Sequence, residues 1–193
     1  MARVLSALVL LPLLVGAVWF LPPVATLALA TVAAILAFSE YAAIVSALGA
    51  RVPRLIIAAA VAAACISVGG GYLATETILM SAVIVVGALA VASGSPGAAV
   101  LRDIAASIFP IAYIGLPLGA IAAVRAFAGR EAVLLLVLTI VISDSAQYYC
   151  GRTFGRRPLA PSISPNKTLE GAIGGLLFGT LAMTLGGRWV LPE

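Results

Sequence analysis

Charged residues are scarce in this chain of 193 residues, where they make up only 9% of the sequence. Soluble globular domains average roughly 25% charged and 45–50% apolar residues. Hydrophobic residues here reach 63%, which is more apolar surface than a water-soluble core can bury. The shortage of charge therefore excludes a soluble globular fold and predicts an integral membrane protein.

Three further absences narrow the class of protein. Apolar and polar residues do not alternate along the apolar runs, which excludes the strands of a transmembrane barrel. The two cysteines, Cys65 and Cys150, lie in apolar segments, and their spacing indicates neither a disulfide framework nor a metal site. The chain also has no nucleic-acid-binding motif, long linker or clear internal repeat. Residues 1–193 are therefore predicted to form one membrane domain with no nucleic-acid partner.

The continuous apolar runs favour an all-α, polytopic fold. A helix needs about 20 apolar residues to cross a hydrocarbon core of roughly 30 Å, and several runs approach that length. We predict about seven transmembrane helices, over Val4–Leu21, Val24–Leu48, Leu55–Leu73, Thr77–Ala92, Ile104–Val124, Ala132–Cys150 and Gly171–Leu191.

Lysine and arginine residues are divided unevenly between the two sides of the predicted membrane domain. Short cytoplasmic loops carry an excess of these residues, so their distribution predicts orientation. One side collects Arg3, Arg51, Arg54, Arg102, Arg152, Arg156, Arg157 and Lys167, and the other has Arg125, Arg130 and Arg188. The amino terminus and the polar loop at residues 151–170 are therefore predicted to be cytoplasmic.

Two of the predicted apolar helices contain residues that are unusual in a membrane segment, prolines in one and a glutamate in the other. Pro110 and Pro117 lie on one face of the fifth helix and predict that it is bent or broken, with neighbouring groups satisfying the freed carbonyls. Glu40, in the second helix, is expected either to pair with Arg51 or Arg54 or to lie at the rim of a substrate cavity.

Glycines recur every fourth residue in the seventh helix, at Gly171, Gly175 and Gly179. Small residues at this spacing let another helix approach closely. We predict that they serve packing, and that the polar loop before them is therefore held firmly.

Almost every polar side chain that could perform chemistry lies between Ser143 and Gly175. Asp144 falls inside an apolar helix, with Gln147 and Tyr148 close to it. A buried carboxylate at membrane depth is rare unless it binds a cation, relays protons or pairs with a base. Asp144 is therefore predicted to have a functional role.

The loop that follows is strongly basic. Arg152, Arg156, Arg157 and Lys167, with Glu170 just beyond, give 4 − 1 = +3 over residues 151–170. Arginine binds phosphate oxygens bidentately and lysine acts as a point charge, so this density suits a polyphosphate at the membrane surface. A loop that merely follows the positive-inside rule and touches lipid headgroups is the other interpretation.

The end of the basic loop carries turn and capping residues. Ser164 and Pro165 predict a rigid turn, and Thr168 is a candidate N-cap for the seventh helix, whose positive end would face an anion held by Lys167. The glycines of a Walker A loop are missing before Lys167, which excludes that motif.

These residues resemble the phosphatidate cytidylyltransferase family, the CDP-diacylglycerol synthases. The resemblance rests on Asp144, the Tyr148-Tyr149-x-Gly151-Arg152-x-Phe154-Gly155 run, Leu159-Ala160-Pro161, and Ser164-Pro165-x-Lys167-Thr168-x-Glu170-Gly171. The Arg3-Val4-Leu5, Glu40-Tyr41 and Tyr113-Ile114-Gly115 segments are similar to that family's earlier helices. The resemblance therefore covers the whole chain.

The resemblance implies Mg²⁺-dependent transfer of a cytidylyl group from CTP to phosphatidic acid, in a bilayer, expected to be a bacterial inner membrane. Asp144 and Lys167 would be catalytic, with Asp144 also a metal ligand or water organiser. Lys167 and Arg152 would hold phosphates, and Glu170 would orient Lys167 or the loop. The substrate-binding set is Tyr148, Arg152, Ser164, Asn166, Thr168 and Glu170.

The chain departs from the family pattern in two ways. Asn166 and Leu169 stand where the family often has Lys and Trp. The chain also stops at Glu193, before two further helices and the signature that supplies the acidic metal ligands, and it has only seven acidic residues. The expectation is an amino-terminal fragment or truncated paralogue that is inactive alone.

Other functions are compatible with the same residues. A CTP-dependent lipid kinase would share the basic loop but transfer the γ-phosphate. A small transporter could line a pore with Asp144 and the broken fifth helix, and a non-catalytic scaffold could recruit a partner through the glycines. A homodimer also stays open.

Overall fold

A computed structural model describes residues 12–13, 15–92, 97–162 and 164–190. Its helices are α1 (Pro23–Ala47), α2 (Arg54–Gly70), α3 (Thr75–Ala92), α4 (Ala98–Pro110), a π-helical segment (Ile111–Gly115), α5 (Leu116–Phe127), α6 (Gly129–Phe154) and α7 (Leu169–Val190), and two strands, β1 (Pro158–Ala160) and β2 (Ser164–Thr168), precede α7. The chain forms two compact units, Met1–Phe127 and Ala128–Glu193.

The predicted all-α membrane class is confirmed. Within the described residues, five helices are long and apolar enough to cross a membrane, with α4, the π-helical segment and α5 counted as one. Helix α2 is a shorter apolar helix of 17 residues, because Gly71 takes a left-handed conformation and ends it before the predicted boundary at Leu73. Half of the predicted first helix, Val4–Leu21, lies outside the described residues, so the count of seven stays a prediction, as does the single domain.

The core of the first unit is built on one narrow face of α1. Its buried residues recur every fourth position, at Thr26, Ala30, Ala34, Phe38 and Ala42. This spacing places them in one row along the helix. Four of the five are small, so neighbouring helices can pack closely on the row, and Phe38 supplies the large apolar contact.

Glycines also bring the π-helical segment and α5 against α2. A methyl group built on Gly115 would lie 2.9 Å from the Val61 carbonyl oxygen, and one on Gly119 would lie 2.7 Å from that of Cys65. Any larger residue at either position would force the two helices apart. These two glycines, which are also four residues apart, were not identified from the sequence.

The fifth helix, which was predicted to be bent or broken, is interrupted by a π-helical segment. The π-helical segment Ile111–Gly115 lies between Pro110 and Pro117. Because Pro110 has no N–H, it cannot donate to the carbonyl of Ala106 one turn earlier. The Tyr41 hydroxyl donates to that oxygen instead, at 2.9 Å, and so satisfies the freed carbonyl from α1.

The expectation that Glu40 pairs with Arg51 or Arg54 is wrong, since no such ion pair occurs among the described residues. The Arg54 guanidinium donates to the Ser46 hydroxyl. The Arg51 backbone N–H donates to Asp103. Glu40 is exposed on α1.

We expect Tyr41→Phe to destabilise the first unit, because it leaves the Ala106 carbonyl without a donor. The cost should be about 1 kcal/mol, the size of an interhelical hydrogen bond in a membrane protein. Unfolding by a denaturing detergent in mixed micelles measures it. Tyr113→Phe is the matched control, because its exposed hydroxyl bonds to no described residue and its ring still stacks on Phe109. Equal losses for both variants would contradict the prediction.

Candidate functional site

The second unit is organised by a close contact between α6 and α7. A methyl group built on Gly171 would lie 2.7 Å from the Gln147 carbonyl oxygen, and one on Gly175 would lie 3.1 Å from that of Ser143. One on Gly179 would lie 3.0 Å from the Ser143 side chain. The predicted packing role of these glycines is therefore confirmed. The Ser143 hydroxyl also donates to the Gly175 carbonyl at 2.9 Å.

The polar loop is more ordered than the sequence predicted. Helix α6 runs to Phe154 rather than ending at Cys150, so Arg152 lies in its last turn. Beyond it, β1 and β2 form an antiparallel hairpin that pairs Pro158 with Thr168. The predicted turn at Ser164 and Pro165 is wrong, because these residues begin β2 and the turn falls at residues 161–162. Both strands of a two-stranded hairpin are edge strands, which is where a proline without an N–H is tolerated.

Two hydrogen-bonding groups join the hairpin to the start of α7. The Thr168 hydroxyl accepts a hydrogen bond from the Gly171 N–H at 3.2 Å, which confirms its predicted role as N-cap. The Glu170 carboxylate accepts from the N–H groups of Arg156 and Arg157, at 3.1 and 3.3 Å. Of the two contacts expected for Glu170, the structure shows the one with the loop.

A cavity of about 470 Å³ lies where α6 meets β2. Six of the eight predicted site residues line it, together with Gln147 and Gly151: Asp144, Tyr148, Arg152, Asn166, Lys167 and Thr168. Two features of the fold bring them together. Asp144, Tyr148 and Arg152 are spaced by four residues on α6, so they follow one face of that helix. Asn166 to Thr168 belong to β2, which the cap and Glu170 hold at the start of α7.

The remaining predicted site residues lie outside the lining of this cavity. Ser164 is at the far end of β2, and Glu170 acts on the loop backbone. The sequence showed Gln147 close to Asp144 and Gly151 in the family motif, but neither was predicted to be a site residue. Gln147 and Gly151 are one turn apart on α6, and this spacing could have predicted that both lie on the same face of the helix.

The cavity is basic, with one carboxylate. Arg152 and Lys167 contribute two positive charges and Asp144 one negative charge, which gives 2 − 1 = +1. The Arg152 Nη1 atom donates to the Tyr148 hydroxyl at 2.8 Å, which fixes both side chains on the same face of α6. Because the Tyr148 oxygen accepts this bond, its own proton remains to be donated. The site thus offers several donors to an anionic group.

Asp144 lies in α6, one of the helices long and apolar enough to cross a membrane, and the other residues of the second unit leave its side chain exposed. The neighbouring residue Ser143 packs against Gly175 and Gly179 of α7. It also borders a second cavity, of about 480 Å³, between α6 and α7, lined by residues that include Thr139, Thr180 and Met183.

The donor set fits one Mg²⁺ ion that arrives with a polyphosphate. Magnesium is commonly bound by one or two carboxylates together with substrate phosphates and water. Asp144 supplies one carboxylate, and the Gln147 side chain in the same cavity can supply an amide oxygen. Among the residues that the structure describes, no three His, Cys, Asp or Glu side chains cluster.

The fold and the cavity define a class, the polytopic helical membrane proteins with a basic pocket at the end of a helix pair. The model of the cytidylyltransferase family matches residues 1–193, so the chain belongs to that family. The family resemblance inferred from the sequence is confirmed.

Three curated relatives are phosphatidate cytidylyltransferases. The protein of Aquifex aeolicus is 50% identical over 52 residues, which are 27% of this chain and 20% of the relative. That of Mycobacterium leprae is 39% identical over 95 residues, 48% of this chain and 30% of the relative. That of Haemophilus influenzae is 52% identical over 46 residues, which are 23% of this chain and 16% of the relative. The matched segments therefore span less than a third of each of these relatives.

We expect Gly171→Ala to lower stability, because its methyl group would displace α7 from the Gln147 carbonyl and move Thr168 and the hairpin with it. In a helix without neighbours the same change stabilises by about 1 kcal/mol through helix propensity. Gly87→Ala in α3 is the matched control, since nothing lies within 4 Å of the added methyl group. Detergent-unfolding curves should shift in opposite directions for the two variants, and a stabilised Gly171→Ala protein would contradict this packing.

Proposed function

We propose that this chain takes part in the transfer of a cytidylyl group from CTP to phosphatidic acid, which yields CDP-diacylglycerol and pyrophosphate. The observation that carries the proposal is the cavity in which Arg152 and Lys167 converge beside Asp144. It lies at the end of two helices that are long and apolar enough to cross a membrane, α6 and α7. A soluble nucleotide and a membrane lipid could both reach such a position. Membership of the cytidylyltransferase family supports the same reaction.

The proposed reaction is an in-line displacement at phosphorus. A phosphate oxygen of phosphatidic acid attacks the α-phosphorus of CTP, a new P–O bond forms, and the bond to the bridging oxygen of the β-phosphate breaks. The electron pair leaves with pyrophosphate. Such a step requires mainly positioning of the two phosphates and neutralisation of their charge. A rigid, basic cavity meets both requirements.

Each cavity residue has a role that its contacts support. Lys167 and Arg152 hold phosphate oxygens, Lys167 as a point charge and Arg152 through two parallel N–H donors. Tyr148, which accepts the bond from Arg152, donates its own hydroxyl proton to the same phosphates. Asn166 offers an amide from β2. Thr168 acts through its cap, which fixes the start of α7 beside the cavity.

Asp144 would hold Mg²⁺, with Gln147 beside it. The ion would neutralise negative charge on the phosphates when bound. Glu170 is a positioning residue, because its carboxylate holds the loop at the Arg156 and Arg157 amides rather than facing the cavity. The Ser164 side chain, at the start of β2, would contribute through the placement of that strand.

We further propose that the cavity faces the cytoplasm and that the membrane is a bacterial inner membrane. The support is the distribution of arginine and lysine, eight on the side of the cavity and three on the other, counted from the sequence. CTP is a cytoplasmic metabolite, so this orientation places the nucleotide on the side where it occurs. The homodimer stays a prediction.

We expect Lys167→Ala to weaken binding of Mg²⁺-CTP to the purified chain about tenfold, because a charge-assisted hydrogen bond is lost. Equilibrium dialysis with radiolabelled CTP in detergent micelles measures the affinity directly. Arg156→Ala is the matched control, since it removes one positive charge from the same segment but does not line the cavity. Its affinity should stay within about twofold of the unaltered chain. Equal losses in the two variants would mean that net charge alone attracts the nucleotide.

The same preparation distinguishes the proposed reaction from a lipid kinase. If the chain turns CTP over, label at the α-phosphate should pass to lipid, and pyrophosphate should be released, when phosphatidic acid is present. Transfer of a γ-phosphate label to lipid, with release of CDP, would overturn the proposal. Binding of CTP without turnover would support the nucleotide site. It would also mean that turnover requires groups other than the residues of this cavity.

A further inference from the structure

The first unit contains a larger cavity that the proposed reaction does not use. It measures about 810 Å³, within the range of roughly 300–1,000 Å³ typical of ligand pockets. Its lining comes from the end of α1 and the connection to α2, from the last turns of α3, and from the first turns of α4. The lining thus comes from one end of each of these helices.

The cavity is divided into a basic mouth and apolar walls. Arg51, Arg102 and Asp103 are at the mouth, and Ser46 is beside them. The walls include the side chains of Val52, Val86, Leu89 and Ile104. This division matches an amphipathic molecule with an anionic head and a hydrocarbon body.

Hydrogen bonds hold the mouth in place. The Asp103 carboxylate accepts the Arg51 backbone N–H at 2.9 Å and lies 3.5 Å from the Arg102 Nε atom. The Arg102 guanidinium also donates to the Gly49 carbonyl. Its position is therefore fixed before any ligand arrives, which lowers the entropic cost of binding.

The Arg51 guanidinium, in contrast, makes no hydrogen bond or ion pair with any residue that the structure describes. It is exposed at the edge of the cavity. Arg54, just outside the lining, bonds the Ser46 hydroxyl at 3.2 Å and adds a third positive charge. With Asp103 the balance is 3 − 1 = +2, so the mouth favours an anion.

We propose that this cavity binds the phosphate headgroup of an anionic phospholipid. Arg51 and Arg102 hold the phosphate oxygens, and the first carbons of an acyl chain lie along Val86, Leu89 and Ile104. Val86, Leu89 and Ile104 belong to helices that are long and apolar enough to cross a membrane, so the mouth at the helix ends lies near headgroup depth. Basic pockets between membrane helices are a recognised way of binding anionic lipid headgroups. A soluble anion would gain nothing from the apolar walls.

The test counts lipids retained on the purified full chain by native mass spectrometry, with phosphatidylglycerol against phosphatidylcholine in mixed micelles. Phosphatidylglycerol is the probe because it is anionic and is not the proposed acceptor of the cytidylyl group. We expect it to be retained preferentially and Arg51→Ala to weaken its retention about tenfold. The Arg51 side chain bonds no described residue, so this variant should fold normally. Arg188→Ala, which removes an exposed arginine at the end of α7, is the matched control and should retain the lipid as before.

Two further experiments distinguish a lipid phosphate from a soluble phosphate, and this cavity from the CTP cavity. Glycerol 3-phosphate and inorganic phosphate should not displace the lipid at equal concentration, and Leu89→Gln should weaken lipid retention. Displacement by either soluble anion, or equal retention by Arg51→Ala and Arg188→Ala, would overturn the proposal. Lys167→Ala should leave retention unchanged, so this site can fail or succeed independently of the CTP cavity.

Discussion

The contact between α6 and α7 determines the geometry of the candidate site. The glycines of α7 let α6 approach closely, most of all at Gly171, where a methyl group would lie 2.7 Å from the Gln147 carbonyl oxygen. Helices in lipid gain little from burying apolar side chains against each other, so close backbone packing and hydrogen bonds must hold them together. The Ser143 bond to the Gly175 carbonyl supplies one such bond in the same contact. Because the first of these glycines follows Thr168 by three residues, the contact also fixes the position of the hairpin.

Backbone groups in the irregular segments of the chain also need hydrogen-bonding partners. A carbonyl freed by proline in a membrane helix has no water to bond, and leaving it unpaired is costly. Tyr41 satisfies the carbonyl of Ala106, and it does so from another helix, so the bond also joins α1 to α4. In the second unit, Glu170 satisfies the amides of Arg156 and Arg157 where the chain leaves α6 and has no helical partners. In each of these irregular segments, a specific side chain thus forms a hydrogen bond with a backbone group that has no helical partner.

The sequence was sufficient for features set by local chemistry. Apolar length predicted the helices, glycine spacing predicted the α6–α7 contact, and the Thr168 cap followed from its place before Leu169. The predictions that were wrong concerned contacts between residues of different segments. The turn placed at Ser164 and Pro165 is a strand because Thr168 pairs with Pro158, and residue type does not encode that register. The ion pair expected for Glu40 failed because Arg54 bonds Ser46 instead. The cavity of the first unit comes from residues far apart in sequence, so no local pattern could reveal it.

The charge of the candidate site argues for the role proposed for Asp144. A triphosphate carries several negative charges, whereas the cavity supplies a net charge of only +1 from Arg152, Lys167 and Asp144. A carboxylate there would repel the nucleotide if its only neighbours were the phosphates. With a divalent cation between them, the same carboxylate becomes attractive, and the summed charge of site and ion approaches that of the nucleotide. An acidic residue among basic ones is therefore more consistent with an ion carried by the nucleotide than with phosphate binding by basic side chains alone.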